Sequence, residues 1–185
     1  MGRVTETLNQ RPALDHPELV APPVTAALRN AVGRLPIEQV LVAEIDPDLA
    51  DTAQFCDRYG VALDESANCV VVAGRRGAAT QLAACVVLAS TRADVNGLVR
   101  RHLDARKASF APMDVAVAET GMEYGGITPI GLPTGWPVLV DAAVAAAPQV
   151  VVGSGVRRSK LWLPGPLLVE LAGARVLVDL GVPVS

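Results

Sequence analysis

The stretch from Gly121 to Pro137, GMEYGGITPIGLPTGWP, sets the first limit on this chain, because five glycines and three prolines in seventeen residues suit neither helix nor strand. A loop of that length inside a compact domain is uncommon and is usually functional. The apolar runs around it are short. Ile37–Ile45, Cys69–Ala73, Leu82–Ala89, Val138–Val140, Val150–Val152, Leu161–Leu163 and Arg175–Val178 read as strands. Cys69–Ala73 and Leu82–Ala89, separated by Gly74-Arg75-Arg76-Gly77, suit a hairpin. Helices are expected over Val24–Val32, from Asp48 as cap to the stop at Gly60, from Asp94 to Asp104, from Pro112 to Gly121, and over Leu167–Leu171. Short connections between strands argue against strict βαβ winding. The expected fold is a single α/β domain with a mixed, largely antiparallel sheet flanked by helices.

Composition says what fills that domain. Of 94 apolar residues among 185, 29 are Ala and 28 are Val, and only six residues are aromatic. Such a chain collapses, so disorder is excluded for most of it, and the core is built of small side chains. Aromatic poverty argues against stacking platforms of the kind single-strand binders use. Every apolar run falls short of the roughly 20 residues that span a bilayer, and the first eleven residues lack an apolar signal region. The expected compartment is the cytoplasm, with no membrane association. Cys56, Cys69 and Cys85 are widely spaced within apolar runs and read as buried thiols. Residues 1–18, with Pro12 and Pro17, read as a loosely ordered lead-in to a domain over 19–185.

The net charge of −3 hides an asymmetry. Residues 1–65 hold 5 basic and 11 acidic side chains, net −6, whereas residues 66–185 hold 11 basic and 8 acidic, net +3. The basic part, with Arg100, Arg101, Arg106, Lys107, Arg157 and Arg158, is compatible with an anionic partner or with ordinary solvated surface.

Familiar catalytic sets are missing from the sequence. The only histidines, His16 and His102, sit in a Pro-rich segment and a basic helix, and no CxxC, HExxH or P-loop occurs. No metal and no nucleotide cofactor is expected. Two glycine turns remain, Gly125-Gly126-Ile127-Thr128-Pro129 and Gly153-Ser154-Gly155. Glycines let the backbone approach a ligand and aim N–H groups at an oxygen, or they serve tight packing alone.

The ordered series GMEYGGITPIGLP, WPVLVD, VVVGSGVRRSKLWL and LLVELAG resembles the YbaK/EbsC family of aminoacyl-tRNA editing domains, related to the insertion domain of bacterial prolyl-tRNA synthetase. The resemblance runs from about Asp48 to the C-terminus. It implies a deacylase that protects translation fidelity by hydrolysing the ester of a mischarged tRNA, especially tRNA(Pro) carrying Cys or Ala. Its partners would be the tRNA acceptor end and an aminoacyl-tRNA synthetase. Carried over by position, Gly125, Gly126, Ile127, Thr128 and Pro129 form the loop that holds the aminoacyl carbonyl, and Gly121, Asp141, Ser154, Gly155 and Asn68 lie around the same pocket. Arg100, Arg101, Lys107, Arg157 and Arg158 would contact tRNA. An aminoacyl ester is already activated, so orientation and an oxyanion hole suffice for its hydrolysis.

One departure stands out. The family's lysine at the start of the strand after the first helix falls on Ala67 or Asn68, and neither supplies an ammonium. Loss of that amine leaves open a non-catalytic binding module on the same fold, or a hydrolase of another small ester.

Overall fold

Strand alternation organises the protein. The computed structural model describes residues 7–184. In chain order its elements are β1 (Arg11–Pro12), α1 (Pro22–Ala31), β2 (Leu41–Glu44), α2 (Thr52–Tyr59), β3 (Ala67–Arg76), β4 (Ala79–Leu88), β5 (Thr91–Ala93), α3 (Arg100–His102), β6 (Lys107–Phe110), α4 (Met113–Thr120), β7 (Val138–Asp141), α5 (Ala142–Ala146), β8 (Val150–Gly153), β9 (Ser159–Leu163), α6 (Gly165–Val169), β10 (Ala174–Leu177) and β11 (Gly181–Pro183). This is a mixed α/β domain with largely antiparallel sheets. Five strands run in the order β10-β7-β4-β3-β6, with β4–β7 and β7–β10 parallel. Four antiparallel strands run in the order β1-β2-β9-β8, and β5 pairs with β11 in a small ribbon.

Because successive side chains point to opposite faces, each sheet feeds two apolar layers. Val86, Val138 and Val140 of the larger sheet meet Val42, Val152, Leu161 and Leu163 of the smaller one, with Val24 and Leu28 of α1 closing that central core. The larger sheet's other face, with Val72, Cys85 and Leu139, packs on Val95, Val99 and Leu103. The smaller sheet's other face carries Ala43, Val151 and Trp162 against Phe55 and Cys56 of α2. The Phe55 and Trp162 rings meet edge-on at 6.1 Å, so Trp162 is the packing anchor that a small-residue core needs.

Several expected boundaries shift for local reasons. Ile37–Ile45 is not one strand: Ile37–Gln39 is a 3-10 turn, and only Leu41–Glu44 joins the sheet. Asp48 is not the cap of α2; its amide donates to Asp46, which caps a 3-10 turn over Pro47–Leu49, and α2 starts at Thr52 after Asp51. Asp94 does cap a helical segment, accepting from the Gly97 and Leu98 amides, but the first turn is a π-turn over Val95–Val99, and α3 ends before Asp104. Gly60 and Gly121 stop α2 and α4 in the left-handed conformation that glycine adopts freely. Within the expected lead-in, β1 pairs with β2, and Ala13 is buried; residues 1–6 of that segment lie outside the described residues. No helix among the described residues is long and apolar enough to cross a membrane.

Candidate functional site

A cavity of ≈ 290 Å³ lies where the two large sheets meet, beside the bridge between Ser66 and Val151. Its wall is assembled from distant segments: Ala50, Asp51 and Thr52 at the start of α2, Ala67 to Val71 of β3, Phe110 at the end of β6 with Ala111 after it, Ala116 of α4, Tyr124, Gly125 and Ile127 of the long loop, Gly153 of β8, and Lys160 of β9. Strand pairing explains the convergence. Lys160 stands opposite Gly153 on one side and Ala43 on the other, and its side chain leaves the sheet on the Trp162 face, beneath α2.

Two glycine turns are zipped together at the edge of this cavity. Glu123 N–H donates to the Gly155 carbonyl at 2.9 Å, Gly155 N–H donates to the Gly126 carbonyl at 2.7 Å, and Arg157 N–H donates to Glu123 Oε2 at 2.7 Å. Gly153 has to be glycine, since a Cβ there would strike the Gly126 and Ile127 carbonyls. The Arg157 guanidinium donates to the Tyr124 carbonyl at 3.3 Å and the Pro47 carbonyl at 3.0 Å, bracing the loop against the turn before α2.

The structure therefore divides the expected site. Asn68, Gly125 and Ile127 line the cavity. The amides of Gly125 and Ile127 have no protein acceptor among the described residues, whereas Gly126 N–H is spent on the Glu123 carbonyl at 2.9 Å. Thr128 is fully buried, with its hydroxyl unpartnered, and Pro129 is buried and has no N–H. Gly121 is the stop of α4. Asp141 does not reach the cavity: Oδ1 accepts from Ala143 N–H at 2.8 Å and Oδ2 from Gly181 N–H at 2.7 Å, tying α5 to the start of β11. Ser154 is fully buried and lies within hydrogen-bond distance of the Val156 and Ser159 carbonyls and of Ser159 Oγ, inside its own turn, while Gly155 bonds the loop through Glu123 and Gly126.

Asn68 is held in one orientation by Thr52, whose Oγ1–H donates to Asn68 Oδ1 at 2.5 Å. That leaves the Asn68 NH₂ donors without a protein acceptor among the described residues. Cys69 also lines the wall, but burial pushes its thiol far up, away from the thiolate a nucleophile needs. Both histidines lie elsewhere: His16 pairs with Glu18 at 3.0 Å, and His102 meets Arg175 at 3.2 Å. No group of three or more His, Cys, Asp or Glu side chains among the described residues could hold a metal.

Sequence reasoning missed two features of the cavity. Lys160, within the apolar run LWL and its flanks, is only 7% exposed. Its Nζ donates to the Ala50 carbonyl at 2.9 Å and sits 5.4 Å from the Phe55 ring centre, and burial pushes its pKa down to about 8. Phe110 and Tyr124 are 60% and 56% exposed, so two of the six aromatics present ring surface at the cavity, against the expectation drawn from composition.

The basic residues also separate. Arg100 and Lys107 join Arg75 and Arg106 around a second concavity at the far end of the β3–β6 pair, where Arg75 stands opposite Lys107. Arg101 is exposed on α3, while Arg158 donates to the Glu18 carbonyl and lies with Arg157 on the turn before β9.

Comparison with known proteins follows the geometry. The family model for the aminoacyl-tRNA editing domain matches residues 46–171. The chain belongs to that family. No curated protein matches it. Among solved structures, one described as a candidate trans-editing enzyme for prolyl tRNA synthetase superposes with a TM-score of 0.69 at 20% identity, covering 86% of this chain and 97% of that one. The hypothetical protein APE2540 gives 0.67 at 23% identity, covering 76% and 90%. A scaffold used for computational epitope grafting gives 0.71 at 22% identity, covering 85% and 95%. At these identities the likeness concerns the fold.

Proposed function

We propose that this editing-domain protein is a deacylase acting in trans on mischarged tRNA, with tRNA(Pro) as its first candidate substrate. The observation that carries the reading is the convergence of Asn68, Gly125 and Ile127 from separate segments on one cavity, each with N–H donors lacking a protein acceptor. Donors of that kind suit a carbonyl oxygen that becomes negative, and each is worth about 3 kcal/mol in such a reaction. The aminoacyl ester needs no stronger nucleophile than water. That fits a site in which the nearest thiol is held protonated.

The rest of the cavity suits the end of a tRNA. Its volume lies near the lower end for small-molecule sites, and Ala50, Ala67, Val70, Val71 and Ala116 make walls for a compact side chain such as alanine. Exposed Phe110 and Tyr124 offer faces on which the terminal base stacks. The cluster of Arg75, Arg100, Arg106 and Lys107 supplies the phosphate contacts further along the β3–β6 edge. The structural neighbour described for prolyl tRNA synthetase supports the choice of tRNA(Pro).

Deacylation assays with Ala-tRNA(Pro), Cys-tRNA(Pro) and a panel of other mischarged tRNAs test the reading. Turnover well above the uncatalysed rate on at least one of them is expected. If none is hydrolysed while aminoacyl-tRNA still binds, the chain is a binding module on the editing fold.

A further inference from the structure

Lys160 differs from the other cations among the described residues in being buried inside the candidate site. It lines the cavity with Asn68, Gly125 and Ile127, on a strand face that otherwise packs Trp162 against Phe55. An ammonium has three N–H donors, and the Ala50 carbonyl takes one, leaving two. Among the described residues no carboxylate comes within ion-pair distance of it; the acidic groups that act on it are the Cys56 thiol and then Asp51, which is exposed at the start of α2. A buried charge without a counter-charge is costly to folding, and a methionine would fill the same space against Phe55 and Cys56. The Ala50 bond ties β9 to the segment before α2, and the N–H donors it leaves over belong to a group that lines the cavity.

The geometry points to Lys160 as a catalytic residue whose ammonium holds the negative oxygen formed when the ester carbonyl is attacked, together with the Gly125 and Ile127 amides. The assignment rests on the deacylase reading for its reaction, and it supplies from β9 the amine that positions 67 and 68 lack. Water oxygen adds to the carbonyl carbon while the carbonyl π pair moves onto oxygen, where Lys160 Nζ–H meets it. Collapse returns that pair to the double bond and breaks the bond to the ribose oxygen, which leaves with the C–O bonding electrons. It takes up a proton equivalent to the one the attacking water gives to solvent. Lys160 begins and ends protonated. The same charge repels a protonated α-amino group, so the aminoacyl moiety enters with its carbonyl, and not its amine, toward β9.

Two adenosine probes separate this role from its rivals. One replaces the 3′ ester by an aminoalkylphosphonate, a tetrahedral anion at the reacting position; the other is the neutral 3′ amide of the same amino acid, and neither carries a 5′ phosphate. Lys160→Met is expected to bind the phosphonate about 10- to 100-fold more weakly than the unaltered protein and the amide equally well. Its kcat on mischarged tRNA falls about 100-fold or more with KM nearly unchanged. Lys160→Arg, which keeps the charge, recovers part of the phosphonate binding, and Lys160→Gln serves if the methionine variant fails to fold. Equal phosphonate binding by the unaltered and uncharged proteins overturns the assignment. So does an unaltered protein that shows no preference for phosphonate over amide. If no tRNA is deacylated yet phosphonate binding still depends on Lys160, the deacylase reading fails and Lys160 is the cavity's anion-binding group without the catalytic role; if Lys160→Met deacylates at full rate, the deacylase reading stands and the assignment fails.

Discussion

Lys160 illustrates how one residue can serve a site at the expense of the fold. A free lysine titrates near 10.5, and burial brings this one down to about 8, so at about 1.4 kcal/mol per pH unit its charge costs the folded state about 3 kcal/mol. Lys160→Met removes that cost but also leaves the buried Ala50 carbonyl without its donor, about 1–3 kcal/mol, so the two largely offset and the variant should melt within a few degrees of the unaltered protein, at roughly 2–4 °C per kcal/mol for a domain of this size, while losing its preference for the anionic probe. The pH dependence has a worked sign. Between about pH 8 and 9 the folded chain has released the Lys160 proton that the unfolded chain still holds, so stability rises with pH. Toward about pH 9 the thiols take over. Burial raises the Cys56, Cys69 and Cys85 thiols, Cys85 to about 12, so the unfolded chain loses those protons first and stability falls. Denaturation from pH 7 to 10 should show a shallow maximum between about 8 and 9, and Lys160→Met should lack the rising limb. Thr128 makes a simpler case: its buried hydroxyl has no partner, so Thr128→Val, which keeps the shape, is expected to stabilise by about 1 kcal/mol in chemical denaturation.

Among the elements, β8 controls the geometry of the long loop through Gly153. A Cβ at that position meets the Gly126 and Ile127 carbonyls, so Gly153→Ala has to displace the segment bearing the free amides. Because a shift of about 1 Å in a positioned group costs about 100-fold, kcat should fall by that order while circular dichroism shows an intact fold. Unchanged kcat would mean that these amides are not the oxyanion donors. Glycine punctuation made much of this level legible: Gly60 and Gly121 marked the ends of α2 and α4, and the density of Gly and Pro marked the Gly121–Pro137 loop. The β3–β4 hairpin showed itself as paired apolar runs, though it extends three residues further into Gly74-Arg75-Arg76 than those runs suggested. Strands β5 and β11 were hidden because three-residue ribbons carry no periodicity and depend on pairing across the chain. Lys160 was hidden for a related reason. In Ser159–Leu163 a lysine reads as one solvated position of an alternating strand, and only the start of α2, over one hundred residues away, closes over it. Asp141 ends a strand near the Gly121–Pro137 loop, but both its oxygens hold backbone amides outside the cavity, a placement that depends on pairing across the chain.

Across the whole molecule, the basic residues form one local cluster and not a basic half. Arg75, Arg100, Arg106 and Lys107 gather beyond the cavity on the β3–β6 edge, and the acidic residues are concentrated before position 66. If that edge carries the tRNA backbone, a double variant Arg100→Ala/Lys107→Ala weakens tRNA binding and lowers the slope of log affinity against log salt by about 2, with the affinity for the adenosine probes unchanged. A slope that stays the same would place the backbone elsewhere. The cavity draws its wall from segments between Ala50 and Lys160, so occupying it clasps both sheets, α2 and α4 at once. Mass action then makes the melting temperature itself a reporter: a ligand present at about 100 times its dissociation constant adds about 2.7 kcal/mol, which in a domain of this size is a rise of roughly 5–10 °C. Candidate aminoacyl groups can be ranked by that rise alone, without any turnover being observed.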